Sequence, residues 1–153
     1  MKIRLAKDED CVAIARLHRQ TIRNVNSKDY TEDQVRAWSA RTNANRFRNS
    51  AGKCKRWVAI EGDKVVGFCD HSLDGEFGGL YVHKDYIGKG IGSCLIKTAE
   101  DSLKKMGFKK VILKATVTAK DFYKKQGYKV IKKDLHSVND KKLEIFVMTK
   151  KLS

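Results

Sequence analysis

No stretch of this chain carries the roughly twenty consecutive apolar residues that a membrane-crossing helix needs, and the opening MKIRLAKDEDC turns charged too early for a signal peptide. The expected setting is therefore the cytoplasm, without membrane association. Cysteine is sparse and shows no pairing: Cys11, Cys54, Cys69 and Cys94 contain no Cys-x-x-Cys, and a 153-residue chain does not need disulfide staples. Free, buried thiols are expected. His18, His71, His83 and His136 show no ligand spacing with one another or with the cysteines, so no metal site is expected. Internal repeats and low-complexity segments are also missing. At this length residues 1–153 are expected to form one domain that buries about two-thirds of its unfolded surface.

Acidic residues are in deficit. Asp and Glu number 18 against 33 Lys and Arg, a formal net charge of +15, so acidic ligands are drawn toward the protein whatever its fold. Nucleic acid is one such ligand. However, the basic residues are spread along the chain as a solvated surface would have them, apart from a concentration between Arg41 and Arg56, and no aromatic-rich strand or reading helix accompanies them.

The most informative run is Leu80 to Met106, LYVHKDYIGKGIGSCLIKTAEDSLKKM. An apolar strand leads through Gly88, Gly90 and Gly92 into a helix whose apolar positions Ile91, Leu95, Ala99, Leu103 and Met106 recur at helical spacing, with Gly107 as its stop. Glycines at a helix N-terminus leave backbone amides open to a ligand. The positive end of the helix dipole and the mobile charge of Lys89 favour a pyrophosphate there. A strand-to-helix turn that merely relieves crowding is the plainer account. The run is not a phosphate loop of the Walker type, since no Gly-Lys-Ser/Thr closes it, and the acidic residue of a dinucleotide fold is missing.

Around this run the pattern predicts a strand over Met1 to Ala6, a helix from an Asp8 cap through Ile22, a polar break from Asn24 to Tyr30, and a second helix opened by the Thr31-x-x-Gln34 capping box. Arg41 to Lys55 has no period and reads as a mobile loop. A hairpin turns at Glu61-Gly62-Asp63-Lys64, a second turn at Leu73-Asp74-Gly75 leads into Glu76 to Val82, and Val111 to Ala115 reads as a buried strand. A short helix over Ala119 to Gln126 and a hairpin of Tyr128–Ile131 with Leu143–Met148 close the chain. This order predicts a mixed α/β fold of the α+β kind, a mostly antiparallel central sheet flanked by helices.

The glycine run resembles the acyl-coenzyme A loop of the GNAT superfamily of N-acetyltransferases, Gln/Arg-x-x-Gly-x-Gly/Ala after a strand ending in apolar-x-Val. It maps onto Ile87-Gly88-Lys89-Gly90-Ile91-Gly92 after Leu80-Tyr81-Val82, with Ile87 where the family carries Gln or Arg. Ala119-Lys-Asp-Phe122-Tyr123-Lys-Lys-Gln-Gly127-Tyr128 resembles the family's closing motif, and Asp29 to Trp38 resembles the opening of one uncharacterised bacterial branch. The element order also resembles that fold from end to end.

The resemblance implies an acetyl-coenzyme A cosubstrate held by Leu80, Tyr81, Val82, Ile87, Gly88, Lys89, Gly90, Ile91, Gly92, Ser93, Thr116, Ala119 and Phe122, at strands that splay apart. It implies direct transfer to a primary amine in a ternary complex, with Glu76, six residues before Val82, as base through a water and Tyr123 as acid for the departing thiolate. Thr116 stands where many members have an Asn that bonds the pantetheine. His71 and His83 are reserve bases, and Cys94 is expected beside the apolar stripe of its helix rather than as a nucleophile. Phe122 is expected to pack into the core. Each residue also has an ordinary account: a solvated Glu, a packed Tyr, a bulge at Gly78-Gly79. A coenzyme-binding module without turnover and a basic nucleic-acid-binding protein are the two rivals. The acceptor, a small amine or a peptide, is expected among Asn24–Tyr30, Arg41–Lys55 and the final hairpin, and the basic loop hints at an acidic group on it. A monomer or a homodimer through the terminal strands fits the family.

Overall fold

A computed structural model describes residues 1–153. The strands are β1 Lys2–Leu5, β2 Cys54–Glu61, β3 Lys64–Ser72, β4 Glu76–Val82, β5 Lys110–Thr116, β6 Lys129–Val138 and β7 Lys141–Lys151. They form one sheet in the order β1-β2-β3-β4-β5-β7-β6. Every neighbouring pair is antiparallel except β4 with β5. The helices are α1 Cys11–Asn24, α2 Glu32–Ala40, α3 Ala44–Ser50, α4 Ile91–Lys105 and α5 Lys120–Lys125.

The single parallel pair follows from connectivity. β4 and β5 are joined through α4, and a helical crossover returns the chain in the same direction. α4 buries Ile91, Leu95, Ala99 and Leu103 against Trp57, Cys69, Val111 and Leu113 on one face of the sheet. On the other face Ile14, Ala15 and Leu17 of α1 and Phe47 of α3 pack on Val58 and Phe68, while Ile22 and Trp38 meet Val138 and Leu143. Glu100 of α4 accepts from Tyr128 Oη at 2.7 Å and from Lys150 Nζ at 3.1 Å, which ties α4 to β7.

Local signals act much as expected. Thr31 Oγ1 accepts from Gln34 N and Gln34 Oε1 accepts from Thr31 N, closing the capping box of α2. At the start of α1 the capping carboxylate belongs to Asp10 rather than Asp8: it accepts from Lys7 N at 2.7 Å and pairs with both Nη atoms of Arg4.

Arg41 to Lys55 is not a loop. It holds α3 and a helical turn over Ala51–Lys53, capped where Asn43 Oδ1 accepts from Arg46 N. Phe47 is its only buried residue, so no apolar period announces the helix. β6 runs seven residues past the expected Ile131, because its strand character comes from pairing with β7 along an exposed sheet edge rather than from alternation. The four thiols are unpaired, but only Cys11 and Cys69 are buried; Cys54 is half-buried, and the turn of α4 leaves Cys94 exposed rather than beside its apolar stripe.

Candidate functional site

The sheet opens between β4 and β5. These strands are in register only at Glu76 with Ile112 and Phe77 with Leu113; beyond that point they part. β4 continues against β3 through Tyr81 and Val82, while β5 continues against β7 to Thr116. The facing edges of both strands are thus left without ladder partners where they diverge.

Two cavities meet at this gap. The first, of 390 Å³, is lined by Leu80, Tyr81, Val82, Ile87, Gly88, Gly90, Ile91, Gly92, Ser93, Thr116, Ala119 and Phe122, with Tyr123 at its inner end. Lys89 alone among the expected ligand-holding residues is not in its wall; its ammonium lies 5.1 Å from the Tyr86 ring centroid. Gly88 and Gly90 have φ of +83° and +84° with no atom within 4 Å of where a Cβ would stand. Only glycine adopts such angles at low cost, and the amides of Ile91, Gly92 and Ser93 that follow have no partner within α4. This is an anion cradle.

The structure also adds residues that sequence reasoning missed. Asn26, in the polar break after α1, borders the first cavity and points Nδ2 at Thr116 Oγ1, 3.5 Å away, while its Oδ1 is buried with no partner. A buried carbonyl oxygen of this kind favours a ligand that brings an N–H. Thr116 Oγ1 meanwhile accepts from Ala119 N. No feature of the Asn24–Tyr30 sequence marked Asn26.

Phe122 and Tyr123 exchange their expected environments. Phe122 is half-buried and covers Gly92, where a Cβ would stand 3.1 Å from its ring; Tyr123 is 5% exposed and packs with Phe77 and Tyr128. The short α5 lies with its first turn against the start of α4, and that turns Phe122 outward. Tyr123 still borders the first cavity. Its hydroxyl makes no hydrogen bond within the protein, and burial, with Tyr81 and Cys69 nearby, pushes its phenol well above the ordinary range, so it stays protonated.

The second cavity, of 310 Å³, lies across the gap and shares Gly78, Gly79, Tyr81, Lys114 and Thr116 with the first. Glu76 borders it, exposed, with a carboxylate that makes no hydrogen bond or ion pair. Asp70 borders it too, and nothing in the sequence reading had singled it out. Asp70 Oδ2 accepts from Arg56 Nε and Oδ1 from Gly79 N, both at 3.0 Å. Gly78 has no side chain because a Cβ there would collide with the Asp70 carboxylate.

The reserve bases lie elsewhere. His71 is fully buried, with Nε2 at 2.9 Å from Ser102 Oγ; His83, whose Nδ1 accepts from Asp85 N, borders neither cavity. The histidines that do line the second cavity are His18 and His136. Burial, with Arg46 and Arg41 nearby, pushes His18 down to about 3, so it is neutral; it stacks edge-on against Tyr81 at 4.5 Å. Of the segments expected around an acceptor, Arg41–Lys55 and the final hairpin wall this cavity, whereas Asn24–Tyr30 turns to the first one.

A glycine-lined helix N-terminus opens onto parted parallel strands within an otherwise antiparallel sheet, an arrangement able to hold an anionic ligand. Residues 26–152 match the family described as acetyltransferase (GNAT) domain, and the chain belongs to that family, whose enzymes are acyltransferases. It is 29% identical over 109 residues to an uncharacterised N-acetyltransferase, YafP, of Escherichia coli, a match covering 69% of this chain and 66% of that protein. A GCN5-related N-acetyltransferase structure from Rhodopseudomonas palustris superposes with a TM-score of 0.94 at 28% identity, over 99% of this chain and 95% of that one. The PaiA N-acetyltransferase of Thermoplasma acidophilum, solved with coenzyme A, shares the fold at a TM-score of 0.74 and 22% identity, over 99% of each chain.

No helix is long and apolar enough to cross a membrane.

Proposed function

We propose that this protein, as one N-acetyltransferase domain, moves the acetyl group of acetyl-coenzyme A to a primary amine by direct attack in a ternary complex. The observation that carries this reading is the gap between β4 and β5, where two cavities reach the same few residues. The glycine cradle and the start of α4 hold the pyrophosphate, assisted by the overall positive charge. The free edge of Leu80 to Val82 receives the pantetheine and the thioester carbonyl, and Asn26 Oδ1 accepts a pantetheine amide N–H.

Attack forms the nitrogen–carbon bond and breaks the carbon–sulfur bond. The amine loses its proton to Glu76 through a water, and the departing thiolate takes one from the Tyr123 hydroxyl. Glu76 suits the first role because its carboxylate is unengaged, whereas both oxygens of Asp70 are occupied.

A thermal melt with acetyl-coenzyme A tests the reading. Ligand at a hundred times its dissociation constant adds about 2.7 kcal/mol, a rise of roughly 5–10 °C for a domain of this size. The rise is expected to vanish in Gly90→Glu. Absence of any rise at millimolar ligand refutes the proposal, and a rise without acceptor-dependent thiol release in an amine screen identifies a coenzyme-binding module instead.

A further inference from the structure

The second cavity holds more positive charge than the protein neutralises. Arg41, between α2 and α3, Arg46 on α3 and Lys114 on β5 all line it, and none forms an ion pair. Of the two acids in the wall, Asp70 is already paired with Arg56, and Glu76 lies at the exposed start of β4. Arg41 is the sharper sign. Its Nη2 reaches His136 Nε2 at 3.3 Å, but its Nε–H is buried with no partner. Burial and the neighbouring Arg46 lower the proton affinity of Arg41, and burial, Arg41, Lys114 and Arg46 lower that of His136, so the imidazole stays neutral beside the guanidinium. A guanidinium with an unused donor and no carboxylate partner, in a wall where three cations outnumber the one unpaired acid, Glu76, matches the two oxygens of a carboxylate. Trp38, Phe47, Phe68 and Phe77 make an aromatic part of the wall, and 310 Å³ lies at the small end of small-molecule sites.

We infer that this cavity grips the acceptor by a carboxylate at Arg41 and Arg46, so that the preferred substrate is a small amine bearing a carboxylate and an apolar side group. The inference rests on the acetyltransferase reading for its word "acceptor", but the binding it asserts does not. The aromatic wall takes the apolar group, and the amine is left to approach the gap at Gly78 and Gly79. The cations of the wall also disfavour a further positive charge nearby, which helps the amine arrive unprotonated.

The probes are 3-phenylpropionate and its neutral analogue 3-phenylpropanamide, titrated into the protein while the fluorescence of Trp38 in the cavity wall is followed. The acid is expected to bind about tenfold more tightly or better, the factor that one charge-assisted contact supplies. Arg41→Gln is expected to erase that preference while the acetyl-coenzyme A melting shift stays as in the wild type. Arg46 is exposed, so Arg46→Gln keeps the test standing where Arg41→Gln does not fold, and there the preference is expected to weaken. Equal binding of the two probes, binding of neither at millimolar concentration, or a preference that survives both substitutions overturns the inference. Loss of the acetyl-coenzyme A shift in the wild type would instead sink the acetyltransferase reading.

Discussion

Replacing Asp70 by Asn separates a structural carboxylate from a catalytic one. Asp70 Oδ2 pairs with Arg56, whose side chain is 8% exposed against 16% for Asp70. Arg56 also donates to Phe47 O and Ser50 Oγ, so it staples β2 to β3 and to α3. Breaking a buried pair from one side typically costs about 3–5 kcal/mol. Arg56 keeps two other acceptors and Asn still offers an oxygen to Gly79 N, so about 2–3 kcal/mol is expected for Asp70→Asn, seen as a urea midpoint lowered by roughly 1 M. Asp70→Ala also strands Gly79 N–H, which adds about 1–3 kcal/mol and frees β4 at the gap, so acetyl-coenzyme A affinity should fall with Ala and hold with Asn. A midpoint for Asp70→Asn indistinguishable from wild type, together with lost turnover, would refute this account and make Asp70 the base in place of Glu76.

Other substitutions probe the remaining parts. Tyr123→Phe and Glu76→Gln should each lower turnover about 100-fold or more; Glu76→Gln, at an exposed position, should leave the urea midpoint nearly unchanged, which steady-state kinetics beside denaturation would check. Gly90→Ala forces a side chain to φ +84°, which should cost about 1–2 kcal/mol and weaken the acetyl-coenzyme A melting shift. Gly78→Ala and Asp70→Ala damage the same contact, so their stability losses should fall short of additivity in a double-mutant cycle. His18 lies at about 3 when folded against 6.5 when free, so the unfolded chain binds the extra proton. Its contribution is whole above pH 6.5 and is lost as pH falls from there toward 3, at up to about 1.4 kcal/mol per unit. Urea midpoints against pH should therefore fall more gently in His18→Gln than in the wild type across that window.

What could be read in the chain was local. A tight turn at Gly62, a capping box at Thr31, a glycine run before an apolar stripe at 3.6 spacing: each is written in a few adjacent residues, and each produced its element. α3 escaped because one buried residue, Phe47, makes no period, and the part of β6 beyond Ile131 escaped because an exposed edge strand has no alternation to show. Asp70 did carry a signal, a carboxylate inside the apolar run Val65-Val-Gly-Phe-Cys-Asp-His, which asks for a buried partner. The second cavity carried almost none. Its wall draws His18, Trp38, Lys114 and His136 from four parts of the chain, and only the fold makes them neighbours.

The gap itself depends on what β4 does not do. A strand that kept pairing with β5 past Phe77 would fill the space both cavities share. Instead Gly79 gives its N–H to Asp70 on β3, and Gly78 leaves the room in which that carboxylate sits. β4 is thereby held toward β3 while β5 follows β7. The glycine pair, which in an ordinary strand would be a weakness, keeps the gap open where the two cavities share residues. The gap faces the glycine cradle on one side and unpaired cations on the other. On the proposed reading each side selects its ligand by charge, and the two residues assigned the proton transfers stand one in each wall, Tyr123 in the first and Glu76 in the second.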